Sequence, residues 1–277
     1  MSVSRNNPIG IFDSGLGGLT VVKQIIKYLP KENIVYFGDT ARVPYGTKSP
    51  KTIERFSVEN ALFLLRFNVK CIVVACNTSS SIALQLLKRS FKVPVIGVIE
   101  PGAREALSAT RNGRIGVIGT KATIASGAYE KQIRRLAHCE YLEKKSSLKI
   151  ISKECPLFVS LAEEGWLSGP VTRQIASIYL SIFKKNKVDT LVLGCTHYPL
   201  LKAVIGSVLG KAVRLVDSAR QCAIEIEKVL YSEGLLNDNK RKGGLKFFVS
   251  DEPERFSVLG RRFLGSRISC IRRAEDV

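Results

Sequence analysis

Short apolar runs alternate with longer amphipathic stretches along the chain. The apolar runs are PIGIF (8–12), NIVYFG (33–38), CIVVAC (71–76), VPVIGVI (93–99), RIGVIG (114–119), TLVLGC (190–195) and AVRLVD (212–217). A strand with one wet face alternates apolar and polar positions, so runs this short and this continuous suit parallel strands covered on both faces. Between them, segments such as 17–29, 50–67 and 171–187 have the length and spacing of helices. The pattern predicts an α/β fold with mainly parallel sheets.

The two halves echo each other. PIGIFDSG resembles RIGVIGTK at an offset of 106 residues, and VVACNT resembles VLGCTH at an offset of 119. Each half therefore carries an opening strand and a later strand that ends in cysteine, which predicts two similar α/β domains facing each other. In open α/β sheets ligands sit beyond the carboxyl ends of the strands. Both cysteines fall there, so the cleft between the domains is the expected site.

With 277 residues, 45% of them hydrophobic, the chain can bury a substantial core. It has no run of about 18 apolar residues, and MSVSRNNPIGIF lacks a basic segment followed by a long apolar one, so a cytoplasmic protein without membrane association is expected. Seven cysteines is an odd number without a short-spaced framework, which points to reduced thiols. The balance of 43 Lys+Arg against 24 Asp+Glu gives +19. That charge favours acidic small molecules and, at most, weak nonspecific contact with nucleic acid. It is spread along the chain, with mild crowding in KRKGGLKF and GRRFLGSRISCIRR, and no nucleic-acid-binding motif accompanies it.

IGIFDSGLGGLTVVKQI has the outline of a dinucleotide-binding turn, but Thr20 occupies the place of the third glycine and the fingerprint fails. Asp13 and Ser14 remain, a carboxylate and a hydroxyl presented at a strand end, with a helix-capping role as the plain alternative for Asp13 and Asp39. Cys71 and Cys76 cannot share a metal, because five extended residues separate them by roughly 16 Å. With two histidines and no C-x-x-C, no metal is expected. Cys71, Cys139, Cys155, Cys222 and Cys270 read as small buried hydrophobes. Cys76 and Cys195 differ, since each stands at a strand end and is followed by hydroxyl or amide side chains at an expected helix start. A helix N-terminus lowers a thiol's pKa and its free N–H groups bind carboxylates. Two such thiols facing an anion-binding cleft suit removal of a proton from one face of a carbon acid and delivery of another to the opposite face. A single Cys nucleophile with His197 as base would use Cys195 but leave Cys76 idle.

The segments GIFDSGLGGLTV, FGDTARVPYG, VVACNTSSSIAL, GVIEPGA, IGVIGTKATI and LGCTHYPLL together resemble the motif series of bacterial glutamate racemases, in the aspartate/glutamate racemase superfamily, over about residues 8 to 235. The resemblance implies two pseudo-twofold-related α/β domains, one of residues 1–99 plus 213–277 and the other of 100–212, with the active site between them. It implies no cofactor, L- and D-glutamate as substrates, and D-glutamate destined for peptidoglycan. Cys76 would act on D-glutamate assisted by Asp13, and Cys195 on L-glutamate beside His197 and Glu163. Substrate contacts carry over to Asp13, Ser14, Tyr45, Gly46, Asn77, Thr78, Thr196 and His197, with Asp39 behind them. Ser160 stands where similar sequences often have proline.

An aspartate racemase or related isomerase is the alternative within the superfamily, since one methylene is worth only about 1–3 kcal/mol of discrimination. The PYG and CTHYP segments favour glutamate. A DNA-associated regulatory protein exploiting the charge is the alternative from another class. The sequence is compatible with a homodimer without fixing an oligomeric state. The short lead before PIGIF lacks the long extension of activator-dependent forms, so constitutive activity is expected.

Overall fold

The computed structural model describes residues 3–140, 148–268 and 270–276. Its strands are β1 (Ile9–Asp13), β2 (Ile34–Gly38), β3 (Cys71–Val74), β4 (Val95–Gly97), β5 (Arg114–Gly119), β6 (Lys149–Glu154), β7 (Thr190–Gly194), β8 (Arg214–Asp217), β9 (Leu245–Val249) and β10 (Ile271–Arg273). The helices of the first half are α1 (Leu19–Tyr28), α2 (Pro50–Leu65), α3 (Asn77–Ile82) and α4 (Leu84–Ser90). Those that follow are α5 (Ile99–Ala109), α6 (Lys121–Ala125), α7 (Ala128–Glu140), α8 (Leu157–Glu163), α9 (Pro170–Lys185), α10 (Lys202–Leu209), α11 (Ser218–Ser232) and α12 (Pro253–Leu264).

Two wholly parallel sheets result. The first has the order β10-β9-β2-β1-β3-β4 and the second β6-β5-β7-β8. The segment β2-β1-β3-β4 and the whole second sheet share one strand order, which is the structural form of the echo between the halves. β8 pairs with β7, so the second sheet extends through Asp217, a few residues past the division drawn at 212 and 213. The chain leaves the first sheet after β4 and returns through α11.

Strand periodicity distributes the core. In β1 and β3, Ile9, Ile11, Cys71 and Val73 face a layer built with α1, α11 and α12, while Phe12, Ile72 and Val74 face the opposite layer with Ala61, Leu64 and Leu87. The second sheet is likewise covered on both sides, by Ala103, Tyr129 and Ile133 on one and by Leu180, Phe183 and Ile205 on the other. Local signals set helix starts: the Ser49 hydroxyl accepts the Thr52 N–H at 3.3 Å with Pro50 at the first helical position, and the Asp217 carboxylate accepts the Ala219 N–H at 3.2 Å. A buried ion pair between Lys70 and Glu32 ties the returning segment down, because Lys70 Nζ also donates to the Leu235 carbonyl at 2.9 Å and Glu32 accepts the Asn237 N–H at 2.8 Å. Among the described residues no helix is long and apolar enough to cross a membrane.

Candidate active site

The chemistry collects at the carboxyl ends of the central strands. Asp13 is the last residue of β1, Cys76 lies two residues beyond β3, Thr120 follows β5 and Cys195 follows β7. These are the places where the strand order reverses in each sheet, at which open α/β folds bind ligands.

Cys76 is the N-cap of α3 and is 4% exposed. The expectation of a lowered thiol pKa fails here. Burial raises it to about 11, the nearby Asp13 carboxylate adds to the rise, and the Ser79 N–H with the Ser14 and Ser79 hydroxyls only partly opposes them. Desolvation of a charge inside the fold outweighs a helix start of six residues. Cys76 is therefore a thiol at neutral pH in this structure. Asp13 is itself fully buried, and its pKa is raised by that burial against the opposing charge of His197 and bonds from the Gly15 and Gly18 N–H groups and Thr196. The Gly15 N–H lies 3.1 Å from Asp13 Oδ2, so the carboxylate closes its own turn and also holds the Gly18 N–H at the start of α1.

On the other side, Cys195 is 6% exposed and its Sγ lies 3.7 Å from His197 Nδ1. His197 Nε2 lies 2.9 Å from Glu163 Oε1, at the end of α8. Burial works to lower the imidazole pKa, but the bonds to Cys195 and Glu163 prevail and hold it at about 10. Glu163 responds in the opposite sense: burial would raise its carboxyl, yet the bond to His197 and the charges of His197 and Arg255 hold it below the usual carboxylate range. The pair is thus imidazolium and carboxylate at neutral pH, with the positive charge beside the Cys195 sulfur. His197 precedes a 3-10 turn, Tyr198–Leu201, and not an α-helix, and its ring makes no capping bond.

Direct contacts join the halves at this point. The Thr196 hydroxyl donates to Asp13 Oδ1 at 3.4 Å, and the Thr20 hydroxyl donates to the Thr196 carbonyl at 3.3 Å. A Cβ on Gly17 would collide with the Thr196 hydroxyl and the His197 ring, which explains a glycine that a tight turn alone does not require. Thr78 Oγ1 lies 2.9 Å from Thr120 Oγ1 and 3.2 Å from Thr123 Oγ1, while the Tyr129 hydroxyl donates to Asn77 Oδ1 at 2.6 Å. Gly46 lets its loop approach Thr120, whose Cβ would stand 2.5 Å from an added Cβ.

Tyr45 packs with Cys76, Ile53 and Phe56. Its hydroxyl donates to Asp39, which also accepts from Arg42 Nε at 2.7 Å and from the Ser250 hydroxyl at 3.0 Å. Asp39 is thus a fixed support for the Tyr45 loop, and it makes no helix-capping bond.

Of the residues singled out for the site, Cys195, His197 and Glu163 form one bonded set, Asp13 joins Thr196, Asn77 and Thr78 bond to Tyr129 and Thr120, Ser14 bonds to Cys76, and Tyr45 and Gly46 with Asp39 form the loop beside them. Thr120, Thr123, Tyr129 and Tyr36 were missed. The offset of 106 that relates the halves maps Ser14 onto Thr120, so that residue was within reach of the sequence. Tyr36, whose hydroxyl donates to the Gly15 carbonyl at 2.7 Å beside Asp13, had no such signal. Among the other cysteines, Cys71, Cys155 and Cys222 are buried as expected, and burial pushes all three thiols up. Cys139, near the end of α7, and Cys270, just before β10, are exposed, contrary to the expectation of burial.

Fold and site define the class: an α/β enzyme whose buried acid–base groups meet between two facing parallel sheets. The chain belongs to the Asp/Glu/hydantoin racemase family, whose model matches residues 9–225. It is 53% identical over 260 residues to a glutamate racemase from Geobacter metallireducens, covering 94% of this chain and 93% of that protein. A crystal structure of a glutamate racemase isoform from Bacillus anthracis superposes with a TM-score of 0.90 at 40% identity, covering 96% of this chain and 97% of the other. A glutamate racemase from Francisella tularensis, solved in complex with D-glutamate, gives 0.87 at 41% identity with coverages of 96% and 97%.

Proposed function

We propose that this protein interconverts L- and D-glutamate in the cytoplasm by proton transfer between two thiols, without a cofactor, and supplies D-glutamate for peptidoglycan. The identity to glutamate racemases supports the substrate. The observation that carries the mechanism is that equivalent strand ends present one cysteine each, with separate acid–base partners: Asp13 for Cys76, and His197 with Glu163 for Cys195. In this reading the two sheets are the cores of two domains, and substrate enters when they part, since both thiols are buried in the closed form.

From L-glutamate, Cys195 as thiolate takes the α-proton from one face, and the Cys76 thiol gives its proton to the opposite face. The products are D-glutamate, a Cys195 thiol and a Cys76 thiolate. From D-glutamate the roles reverse. Cys76 must then shed its proton, and the raised pKa of Asp13 equips that carboxylate to take it. The imidazolium beside Cys195 stabilises the thiolate on its side. Ser14, Asn77, Thr78 and Thr196 supply hydroxyl and amide groups for the substrate's carboxylates and ammonium, and Tyr45 with Gly46 closes the cleft.

Circular dichroism of L-glutamate and, separately, L-aspartate with purified protein and a chelator tests the reading. The expected result is decay of the glutamate signal to zero, far slower change with aspartate, and loss of activity on thiol alkylation unless glutamate is present. A requirement for added metal or pyridoxal phosphate, or a preference for aspartate, contradicts it.

A further inference from the structure

The C-terminal helix α12 lies beyond the stretch that the family model matches and packs on the first sheet. It nevertheless reaches the acid–base pair of the opposite half. The Phe263 ring stands edge-on to the His197 imidazole, with centroids 5.4 Å apart and planes at 84°. Phe263 is buried, so this packing is fixed by the core of the first sheet. One residue earlier, Arg262 Nη1 donates to the Glu163 carbonyl at 3.4 Å, and its guanidinium covers Gly165, where it fills the space a Cβ would need. About two turns before Phe263, Arg255 lies 3.8 Å from Glu164 and its charge acts on Glu163. Three side chains of one helix thus bear on a single pair, one on the ring and two on the turn that carries the carboxylate.

We infer that Phe263 and Arg262 are positioning residues: α12 holds His197 against Cys195 and Glu163, and so sets the proton transfer on the Cys195 side alone. The inference rests on the two-thiol reading for its consequence in turnover, but not for its geometry. A T-shaped aromatic contact fixes ring orientation, which the two bonds of the imidazole require, since Nδ1 must face Sγ while Nε2 faces Oε1. The charged groups that face His197 are Cys195, Glu163 and, across the cleft, Asp13, with Arg255 acting through Glu163. Arg262 adds its own charge at the Glu163 backbone, which Arg262→Ala removes, whereas Phe263→Leu alters no charged group.

The chain has two histidines, and the other, His138, is exposed on α7, so proton NMR of the imidazoles resolves the effect at His197 without reference to activity. The variants are Phe263→Leu, which keeps an apolar side chain but loses the ring, and Arg262→Ala at an exposed position where folding is not at risk. Arg261→Ala, exposed on the same helix, is the control. In Phe263→Leu the His197 titration should fall by roughly one pH unit and kcat/KM by about three- to tenfold, the scale of one aromatic pair. Arg262→Ala should change both in the same direction by less, and Arg262→Lys should recover part of the loss.

With two bases, slowing the Cys195 step makes it more rate-limiting. The α-deuterium isotope effect should therefore rise from L-glutamate and fall from D-glutamate. Folded variants in which the His197 titration does not move overturn the inference, whether activity is kept or is lost with both isotope effects unchanged. If the wild-type protein proved not to be a racemase, the NMR arm would still decide whether α12 positions His197.

Discussion

Replacing Glu163 by glutamine keeps size and a hydrogen-bonding group beside His197 but removes the charge. The imidazole is 2% exposed, and its pKa stands at about 10 against an ordinary value of 6.5. At about 1.4 kcal/mol per pH unit the imidazolium is favoured by on the order of 5 kcal/mol. Cys195 and Glu163 raise the imidazole against burial, which lowers it, so removing the Glu163 charge should bring the variant's imidazole down. His197 has its pKa raised by folding, so its stabilisation is fully present below the unfolded value of 6.5 and disappears as pH rises through about 10. Glu163 has its pKa lowered, so its contribution is present above the unfolded value of 4.5 and disappears as pH falls through the folded value. The two conditions bound one window. Urea unfolding should find Glu163→Gln less stable than wild type by about 2 kcal/mol near pH 7, with the difference shrinking as pH falls below 4.5 and again as pH rises towards 10. Histidine NMR should show the corresponding fall for His197 and none for His138. A stability difference that does not vary with pH, or a His197 titration that stays at about 10, would refute the pairing.

Gly46→Val forces a side chain into the space held by Thr120; activity should fall by about a hundredfold or more while Tm changes by only a few degrees, because closure of the cleft and not either core is disturbed. Calorimetry and a racemisation assay read the two separately, and full activity would show that the halves need not meet at this contact. Lys70→Met leaves the Glu32 carboxylate buried without its ion pair and should cost about 3–5 kcal/mol in urea unfolding, most of which returns in the Lys70→Met/Glu32→Gln double variant. Failure of the double variant to recover would mean that the loss comes from the Lys70 bonds to the Arg5 and Leu235 carbonyls instead.

What could be read from the sequence was set by burial. β1, β3, β5 and β7 are covered on both faces and show as continuous apolar runs, each close to its observed bounds. β6, KIISKE, is an edge strand with exposed and half-buried positions, so no run marks it. β9, LKFFV, follows KRKGG and was absorbed into the basic crowding, and β10 is three largely exposed residues. The placement of the candidate groups was legible where a motif or the internal echo pointed: Asp13, Cys76, Cys195 and His197 all stand at or just beyond strand ends. The thiol chemistry was not, because the rise at Cys76 comes from burial and from Asp13, a neighbour across the sheet 63 positions away in sequence. The support of His197 by Phe263 was equally hidden, since it joins the C-terminal helix to the second sheet.

The source of the α-proton tests the two-thiol account most directly. With unlabelled L-glutamate in D2O, Cys195 takes the original hydrogen while Cys76, already exchanged with solvent, delivers deuterium to the opposite face. Mass spectrometry at under about a tenth of conversion, before the reverse reaction matters, should find deuterium in nearly all the D-glutamate formed and protium in nearly all the L-glutamate recovered. Cys76→Ser and Cys195→Ser should each abolish racemisation, since a serine hydroxyl does not form the required base at neutral pH. Substantial protium at the α-carbon of early D-glutamate would mean that one base carries the hydrogen between faces, and would contradict the account even in an active glutamate racemase.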